Sequence, residues 1–129
     1  MSKPLPSEHD EQVAVIQWCD AQTSGPWSDA RYVFAVPNGS NKNIVAAVRM
    51  KAEGLRPGVP DLILPIPKMN SGRDLSFCGA LFIEMKRREG FKVPDEQKKW
   101  HKFLKSRGYR VEVCRGQDEA VKAIQEYLK

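Results

Sequence analysis

The sequence predicts an α/β fold, in which a mixed β-sheet is flanked by helices in the order helix, strand, helix, strand, strand, helix, strand, helix. The first observation behind this prediction is that segments with helical apolar spacing alternate with short segments rich in β-branched residues. The second is the central loop, which is too short to hold a helix and therefore favours two antiparallel neighbouring strands. The third is a later strand–helix–strand unit, which is typical of a right-handed parallel crossover.

The elements before the central loop are bounded by caps, turns and a glycine. Residues 7–21 are predicted to form a helix that Ser7 caps, and residues 31–36 a short strand that ends at a Pro-Asn-Gly turn. Residues 43–53 are predicted to form a second helix before Gly54, and residues 61–66 the first central strand. The apolar stripes of the two helices are Val13, Ile16 and Cys19 (or Asp20), and Ile44, Val45, Val48 and Ala52.

The second half begins with a polar loop over residues 68–79, which we expect to be exposed, and continues with a strand over Leu81–Lys86. Residues 94–106 are predicted to form a third helix that ends at Gly108, residues 109–114 a strand and residues 118–128 a final helix. The apolar stripes of these helices are Trp100, Phe103 and Leu104, and Val121, Ile124 and Leu128.

The composition is that of one globular domain, with 129 residues of which 41% are hydrophobic and 29% charged. Apolar runs fall short of the roughly 20 residues that a membrane helix needs, and the first residues lack the apolar stretch of a signal peptide. We therefore expect a cytoplasmic protein without membrane contact. Because Cys19, Cys78 and Cys114 form no CxxC pair, we expect no disulfide or structural zinc site and three buried, reduced cysteines.

The positive charge is concentrated in one segment. The net charge is +5, yet residues 86–110 hold ten Lys or Arg and three Asp or Glu, whereas the remainder is slightly acidic. Such a segment favours an anionic partner, although a run of charge is also what an ordinary solvated surface has.

The residues that indicate chemistry are Asp61, at the start of the first central strand, and Glu84 and Lys86, at the end of the second. Because side chains alternate along a strand, Glu84 and Lys86 lie on one face, about 7 Å apart, while Met85 points to the other. A hairpin between the strands can bring Asp61 beside Glu84. Each half of the pattern alone is weak evidence for catalysis, because charged residues often end a strand and a Pro-Asp step is often a turn.

Two close carboxylates repel each other unless a cation joins them, and Mg²⁺ prefers oxygen ligands while keeping several waters. One of these waters can act as the nucleophile in phosphodiester hydrolysis. Lys86 can orient or deprotonate that water, or hold the phosphate. The carbonyl oxygen of Met85 is a plausible further ligand.

The segments GLRPGVPDLIL and ALFIEMKRREGFKVPDEQKKWHKFLKSRGYRVEVCR together resemble the VRR-NUC family of the PD-(D/E)XK nuclease superfamily. The specific parts are the GVPD turn, the E-x-K strand, the Gln97-x-x-Trp100 helix and the strand that follows Gly108, within a resemblance that runs from about Glu8 to Arg115. The resemblance implies a restriction-endonuclease-like fold, dependence on Mg²⁺ or Mn²⁺, and activity on DNA, with branched or junction DNA as the substrate class.

The resemblance also implies an acidic residue on the first helix, followed four positions later by glutamine. Glu8 and Gln12 match this spacing, and Glu11 is the alternative. These acids could instead favour the positive end of the helix dipole. By the same resemblance Gln97 reaches back to the active site, although it could also be an exposed helix residue. The metal ligands that follow are Asp61, Glu84, the carbonyl oxygen of Met85, and Glu8.

The surface expected to contact DNA phosphates comprises basic residues after the catalytic strand and on the third helix, with a polar loop over residues 37–42. These candidates are Arg87, Arg88, Lys98, Lys99, Lys102, Lys105, Asn38 and Lys42. Trp100 fits the apolar stripe of its helix, so we expect it in the core rather than stacked on a base.

The function predicted from these residues and this resemblance is a structure-selective endodeoxyribonuclease, such as a Holliday-junction resolvase that acts as a homodimer. Cutting two symmetric strands requires two sites in a fixed relation, and one chain supplies one site. The likeliest apolar contacts of such a dimer are near Trp18, Trp27 or Met50. The alternatives are a monomeric nicking or flap nuclease of repair or replication, and a basic DNA-binding module without catalysis.

Overall fold

The structure is a computed structural model that describes residues 4–37, 43–69 and 77–129. Its centre is a four-stranded sheet, built from β1 (Phe34–Ala35), β2 (Leu62–Leu64), β5 (Leu81–Lys86) and β6 (Arg110–Arg115) in that spatial order. A small separate hairpin joins β3 (Lys68–Met69) to β4 (Phe77–Cys78). The helices are α1 (Glu8–Asp20), α2 (Ile44–Ala52), α3 (Asp95–Ser106) and α4 (Gly116–Tyr127).

The strand directions confirm the predicted mixed sheet. β2 pairs antiparallel with β1 and β5, whereas β5 pairs in parallel with β6 through the connection that contains α3. The expected antiparallel central pair and the later parallel unit are therefore both present. None of the helices in the described ranges has the length and apolar character needed to cross a membrane.

The strand β5 separates the core from the polar side of the sheet. Its residues Leu81, Ile83 and Met85 are fully buried and pack with side chains of β2, α1 and α4. The alternate residues Phe82, Glu84 and Lys86 point to the other face, which α3 covers. A charged pair thus lies at the end of a strand that is almost entirely buried.

The predicted first strand was wrong over most of its length. Residues Ser28–Tyr32 form a 3₁₀-helix that buries Ala30, and only Phe34 and Ala35 pair with β2. β1 is an edge strand whose single neighbour is β2. Its length is therefore limited by the part of β2 that is available to pair with it. The hairpin β3–β4 was also missed, since its strands lie inside the segment predicted to be a loop.

Three predicted apolar surfaces also differ from the structure. In α1 the buried residues are Glu11, Val15 and Cys19, while Val13 is 40% exposed. The apolar stripe of α2 faces outward, since Ile44, Val45 and Val48 are all well exposed.

In α3 the buried residues are His101 and Leu104, while Trp100 is half-buried and Phe103 is 49% exposed. The expectation that Trp100 and Phe103 belong to the core was therefore wrong. Of the cysteines, Cys19 and Cys114 are buried as expected, but Cys78 is half-buried, and all three are free thiols.

An ion pair between the buried Glu11 and the exposed Arg88 ties α1 to the end of β5 and to the start of α4. Glu11, whose side chain is 3% exposed, accepts hydrogen bonds from Arg88 at 2.7 and 3.3 Å and from the amide of Gln117. A Cβ at Gly116 would collide with the Glu11 carboxylate, and the φ of Gly116 is +80°. Glu11 therefore takes the place of an N-terminal cap for α4, whose own N-cap residue makes no side-chain cap bond.

We predict that Glu11→Gln lowers the free energy of unfolding by about 1–2 kcal/mol at pH 7, because the amide loses the charge-assisted bond to Arg88. The hydrogen bond from Arg88 holds the pKa of Glu11 below its ordinary value of 4.5. The stabilisation is therefore complete above pH 4.5 and is lost as the pH falls through the lowered pKa. Urea denaturation from pH 3 to pH 7 measures it.

The matched control for this variant is Glu126→Gln, which neutralises an exposed carboxylate that pairs with the exposed Lys129. It should change stability little at any pH. A Glu11→Gln variant as stable as this control at pH 7 would contradict the role given to the pair.

Candidate active site

Asp61 and Glu84 meet at the edge where β2 begins and β5 ends. In the antiparallel register Leu62 is opposite Ile83, so Asp61, one residue earlier, comes opposite Glu84. Both side chains are buried, with Asp61 8% and Glu84 2% exposed. The two carboxyl groups are hydrogen-bonded to each other. The hairpin thus produces the proximity that the sequence pattern requires.

Asp61 is fixed in place by the backbone of the strand that carries Glu84. Its Oδ2 accepts a hydrogen bond from the amide of Met85 at 2.7 Å. The role of the Met85 carbonyl oxygen as a metal ligand stays a prediction. The hydrogen bond from the Met85 amide to Asp61 was not predicted from the sequence. The bond holds one carboxylate oxygen of Asp61, so the other is left for Glu84 or for a cation.

Burial and a neighbouring carboxylate together raise the pKa of Glu84 from 4.5 to about 9. Removal from water is the largest cause, followed by the hydrogen bond and the charge of Asp61, while the charge of Lys86 acts in the opposite direction. At neutral pH, without a cation, Glu84 therefore stays protonated, and its O–H donates a hydrogen bond to the Asp61 carboxylate. The proton occupies the position that suits a divalent cation.

Lys86 is held by Gln97 from α3. The Lys86 ammonium donates to Oε1 of Gln97 at 2.7 Å, and Lys86 is only 6% exposed. The structure therefore brings Gln97 to the site residues, as the resemblance implied. Because the glutamine carbonyl is a neutral acceptor, this bond positions the Lys86 side chain without adding a further negative charge to the site.

His101, a site neighbour that sequence reasoning missed, lies one helical turn after Gln97. Its Nε2 is 3.4 Å from Oε1 of Glu84, a long hydrogen-bond distance, and the residue is 8% exposed. Burial, then the charges of Lys105 and Lys86, lower the pKa of His101, so the ring is neutral at pH 7. The spacing of four from Gln97 was the available signal, because it places both residues on one face of the helix.

The two acidic candidates on α1 have different surroundings. Glu8 is half-buried, and its pKa is raised by burial and then by the charge of Asp61, while Lys86 lowers it. Glu8 is therefore near enough to Asp61 and Lys86 for their charges to interact. Glu11 is occupied by Arg88 and the start of α4, so Glu8 is the acid of this helix that the geometry makes available.

The expected basic residues are distributed over more than one surface. Arg87 is exposed beyond β5, whereas Arg88 is bound to Glu11 and lies 3.8 Å from Asp118. On α3, Lys98, Lys102 and Lys105 follow at spacings of four and three, so they share one side of the helix. Lys99 lies about 100° around the helix from Lys98, where it borders a groove with Trp100 and Phe103, and Asn38 and Lys42 are outside the described residues.

The carboxylates fit a magnesium or manganese ion that keeps much of its water. Within residues 4–37, 43–69 and 77–129, no group of three or more acidic, histidine or cysteine side chains is arranged around one point as a metal site. Two adjacent buried carboxylates that share a proton nevertheless form a compact set of oxygen donors. Mg²⁺ is commonly bound by one or two carboxylates and several waters, so this donor set suits it.

Comparison with known proteins places this arrangement in a family. The model of the VRR-NUC domain family matches residues 7–118 of the chain. A solved structure described as a VRR_NUC domain protein superposes with a TM-score of 0.74 at 24% identity, over 97% of this chain and 90% of that one. No curated protein matches the chain. The chain has a VRR-NUC fold and belongs to the VRR-NUC domain family, a nuclease family of the PD-(D/E)XK superfamily.

Proposed function

We propose that the chain is a metal-dependent endodeoxyribonuclease that hydrolyses phosphodiester bonds in branched DNA. The observation that supports this proposal is the buried pair Asp61 and Glu84 beside a lysine whose ammonium group is held in place. A structural ion pair would not need a second carboxylate, since Lys86 alone could neutralise Glu84. A buried pair in which the pKa of Glu84 is raised to about 9 suits a site where a cation would displace the proton.

In the proposed reaction, Asp61 and Glu84 would hold the cation, and Glu84 would have to release its proton to solvent for this purpose. A bound Mg²⁺ or Mn²⁺ supplies an acidified water and offsets charge on the attacked phosphate. Lys86 donates to a phosphate oxygen or orients the attacking water, and the carbonyl of Gln97 fixes its direction. Glu8 is half-buried and its charge interacts with that of Asp61, so it would add negative charge near a bound cation.

His101 acts as a positioning residue in this scheme. A neutral imidazole beside Oε1 of Glu84 can donate a hydrogen bond to the ionised carboxylate without repelling the cation. It would therefore keep Glu84 oriented if a cation replaced the proton that Glu84 shares with Asp61.

DNA binding is proposed to rely on positive charge near this edge. Arg87 lies directly after the catalytic strand, and Lys98, Lys102 and Lys105 form one side of the helix that carries Gln97 and His101. Contacts of this kind neutralise phosphates without reading sequence.

The homodimer is proposed to form through α2. Ile44, Val45 and Val48 are 80%, 68% and 63% exposed, which leaves an apolar helix face without cover from the described part of the chain. Trp18, the alternative contact, packs against the core of the monomer. A second copy of the chain would cover this face and supply the second site that symmetric cleavage of a junction requires.

We predict that Asp61→Asn and Glu84→Gln each reduce cleavage of labelled branched DNA by about 100-fold or more, because either amide removes a charge that the cation needs. The assay compares duplex, flap and four-way-junction DNA with Mg²⁺, Mn²⁺ or EDTA. Wild-type cleavage should require the metal, and Glu126→Gln should cut like wild type. Cleavage in EDTA, or full activity of either amide variant with a normal melting curve, would contradict the metal site.

The raised pKa of Glu84 predicts how stability depends on pH when no metal is bound. In the folded chain Glu84 ionises near pH 9, whereas in the unfolded chain it ionises near 4.5. The stability that it contributes is complete below pH 4.5 and is lost as the pH rises towards 9. The melting temperature of Glu84→Gln in EDTA should therefore rise relative to wild type between pH 5 and pH 9.

A second arm of the melting experiment adds Mn²⁺. Metal binding should raise the melting temperature of wild type, most strongly at high pH, and leave Glu84→Gln unchanged. If the difference between the two proteins in EDTA stays constant across the pH range, Glu84 does not hold the proton.

We predict that Lys86→Ala lowers the turnover rate about 100-fold while changing the Kd for DNA by less than about threefold, because Lys86 acts at the attacked phosphate. Lys86→Arg should restore little of the rate, since the guanidinium is never deprotonated and has a different shape. Lys122→Ala, an exposed lysine on α4, is the control. If Lys86→Arg cleaved at the wild-type rate, the role of Lys86 would be limited to binding the phosphate.

Light scattering should find a dimer at micromolar concentration, alone or with junction DNA, because a stable interface needs about 1,200 Å² of buried surface and α2 offers an apolar centre for it. Val45→Lys with Val48→Glu should produce a monomer that still nicks DNA. Phe77→Ala, a change at another exposed apolar side chain, should leave the dimer intact. A wild-type monomer that cuts flaps would favour the monomeric flap nuclease instead.

A further inference from the structure

A groove beside the candidate active site has the composition of a nucleotide-binding surface. It lies along α3, on the side away from Lys98, Lys102 and Lys105, and encloses about 420 Å³. Its lining residues are Arg56, Pro57, Glu96, Lys99, Trp100 and Phe103. Neither the fold nor the proposed hydrolysis requires an open groove at this place, since Gln97, His101 and Leu104 already pack α3 onto the sheet.

The walls of this groove are fixed against each other and against the active site. Gly58, with a φ of +89°, lies so close to α3 that a Cβ there would be 2.7 Å from the backbone carbon and oxygen of Glu96. The loop that contributes Arg56 and Pro57 is therefore pressed onto the first turn of α3, and it continues directly into Asp61. The same turn carries Gln97, so both walls of the groove also carry active-site residues.

The base of the groove is aromatic and partly open. Trp100 and Phe103 meet edge to face, with ring centroids 6.0 Å apart and planes at 88°. Phe103 is 49% exposed, so about half of this apolar side chain contacts solvent on an otherwise basic helix. The guanidinium of Arg107 lies 5.4 Å from the centre of its ring. The rings are thus held in place by one another and by a cation, and a face remains accessible.

The charges around the rings favour an anionic ligand with a flat apolar part. Arg56, Lys99 and Arg107 are cations at the groove or next to it, against the single carboxylate of Glu96 among its described lining residues. Nucleotides combine a negative phosphate with a base that stacks on aromatic side chains and on arginine. An apolar peptide would leave these cations without partners, whereas a nucleotide satisfies both parts of the surface.

We propose that this groove binds an unpaired nucleotide of the DNA substrate, with its base stacked on Phe103 and its phosphate near Lys99 and Arg56. The proposal rests on the proposed nuclease function and adds to it a specific substrate feature. Along the helix axis, Trp100 and Phe103 are about 4.5 and 9 Å from Gln97. A nucleotide in the groove is therefore a near neighbour of the scissile phosphate. Intact duplex offers no unpaired base, so the groove selects DNA that branches or frays at the cut.

The test measures binding in EDTA, so that it does not depend on cleavage. Two flap substrates are compared that differ only in the flap, which carries either deoxyadenosines or abasic nucleotides with the same phosphates. Wild type should bind the base-bearing flap about 5- to 100-fold more tightly than the abasic flap, the range expected when one base stacks on an aromatic side chain. Phe103→Ala should bind both flaps equally, with the affinity that wild type has for the abasic flap.

Two further variants separate stacking from other effects. Phe103→Trp should keep the preference for the base-bearing flap, because an indole also stacks, whereas Phe103→Leu should lose it despite its apolar side chain. Phe77→Ala removes an aromatic ring that is 59% exposed on the separate strand β4 and should behave like wild type. Circular dichroism and melting temperature show whether each variant is folded.

The possible outcomes distinguish this proposal from the proposed function. If wild type cuts DNA with Mg²⁺ and prefers the base-bearing flap in a Phe103-dependent way, both stand. If it cuts DNA but Phe103→Ala keeps the preference, or no preference exists, the groove proposal is overturned while the nuclease remains. The same holds if Phe103→Ala changes only the oligomeric state, since the groove is then a contact between protein copies. If wild type neither binds nor cuts any DNA, both are wrong.

Discussion

The buried contact between Asp61 and Glu84 is the constraint around which the rest of the structure is arranged. Two carboxyl groups that are 8% and 2% exposed cannot both be ionised without a compensating charge, because the water that would stabilise them has been excluded. The fold meets this constraint with a proton on Glu84, with the amide of Met85 on Asp61 and with the nearby ammonium of Lys86. A divalent cation, as proposed, would meet it more completely, since it would replace the proton and satisfy both groups at once.

The helices on the two sides of the sheet serve this contact in different ways. On one side α3 brings Gln97 to Lys86 and His101 to Glu84, from positions one turn apart. On the other side α1 is tied by Glu11 to Arg88 and to the first turn of α4. Because Glu8 lies one turn before Glu11 on the same helix, this tie also sets where Glu8 faces the site. The ion pair of Glu11 is thus structural, and its effect on the site is indirect.

The basic helix has two different long sides, and this difference is informative about the substrate. One side carries lysines at the spacing of phosphate contacts, while the other combines aromatic rings with Lys99 and Arg107 next to the loop of Arg56. A surface made only of lysines would hold any DNA through its backbone. The rings on the same helix as Gln97 are the basis of the proposal that an unpaired base is bound here.

The errors of the sequence analysis concern surfaces whose burial depends on distant segments. Ile44, Val45 and Val48 have the spacing of a buried stripe, but the sheet ends at β1 and offers them no cover. Phe103 likewise fits the stripe of α3, although the sheet contacts the helix through Gln97, His101 and Leu104 instead. The first strand was predicted too long because pairing at an edge depends on its single neighbour.

The sequence by itself determined the α/β class, the antiparallel central pair, the parallel return strand, and the proximity of Asp61, Glu84 and Lys86. These follow from local periodicity and from a short connection, both of which act over a few residues. Only the tertiary structure decided that Glu11 binds Arg88 while Glu8 faces the site, that His101 contacts Glu84, and that the rings of α3 border an open groove. Each of these depends on which side of a helix meets a segment far away in the chain, and helical spacing alone leaves that choice among neighbouring faces undetermined.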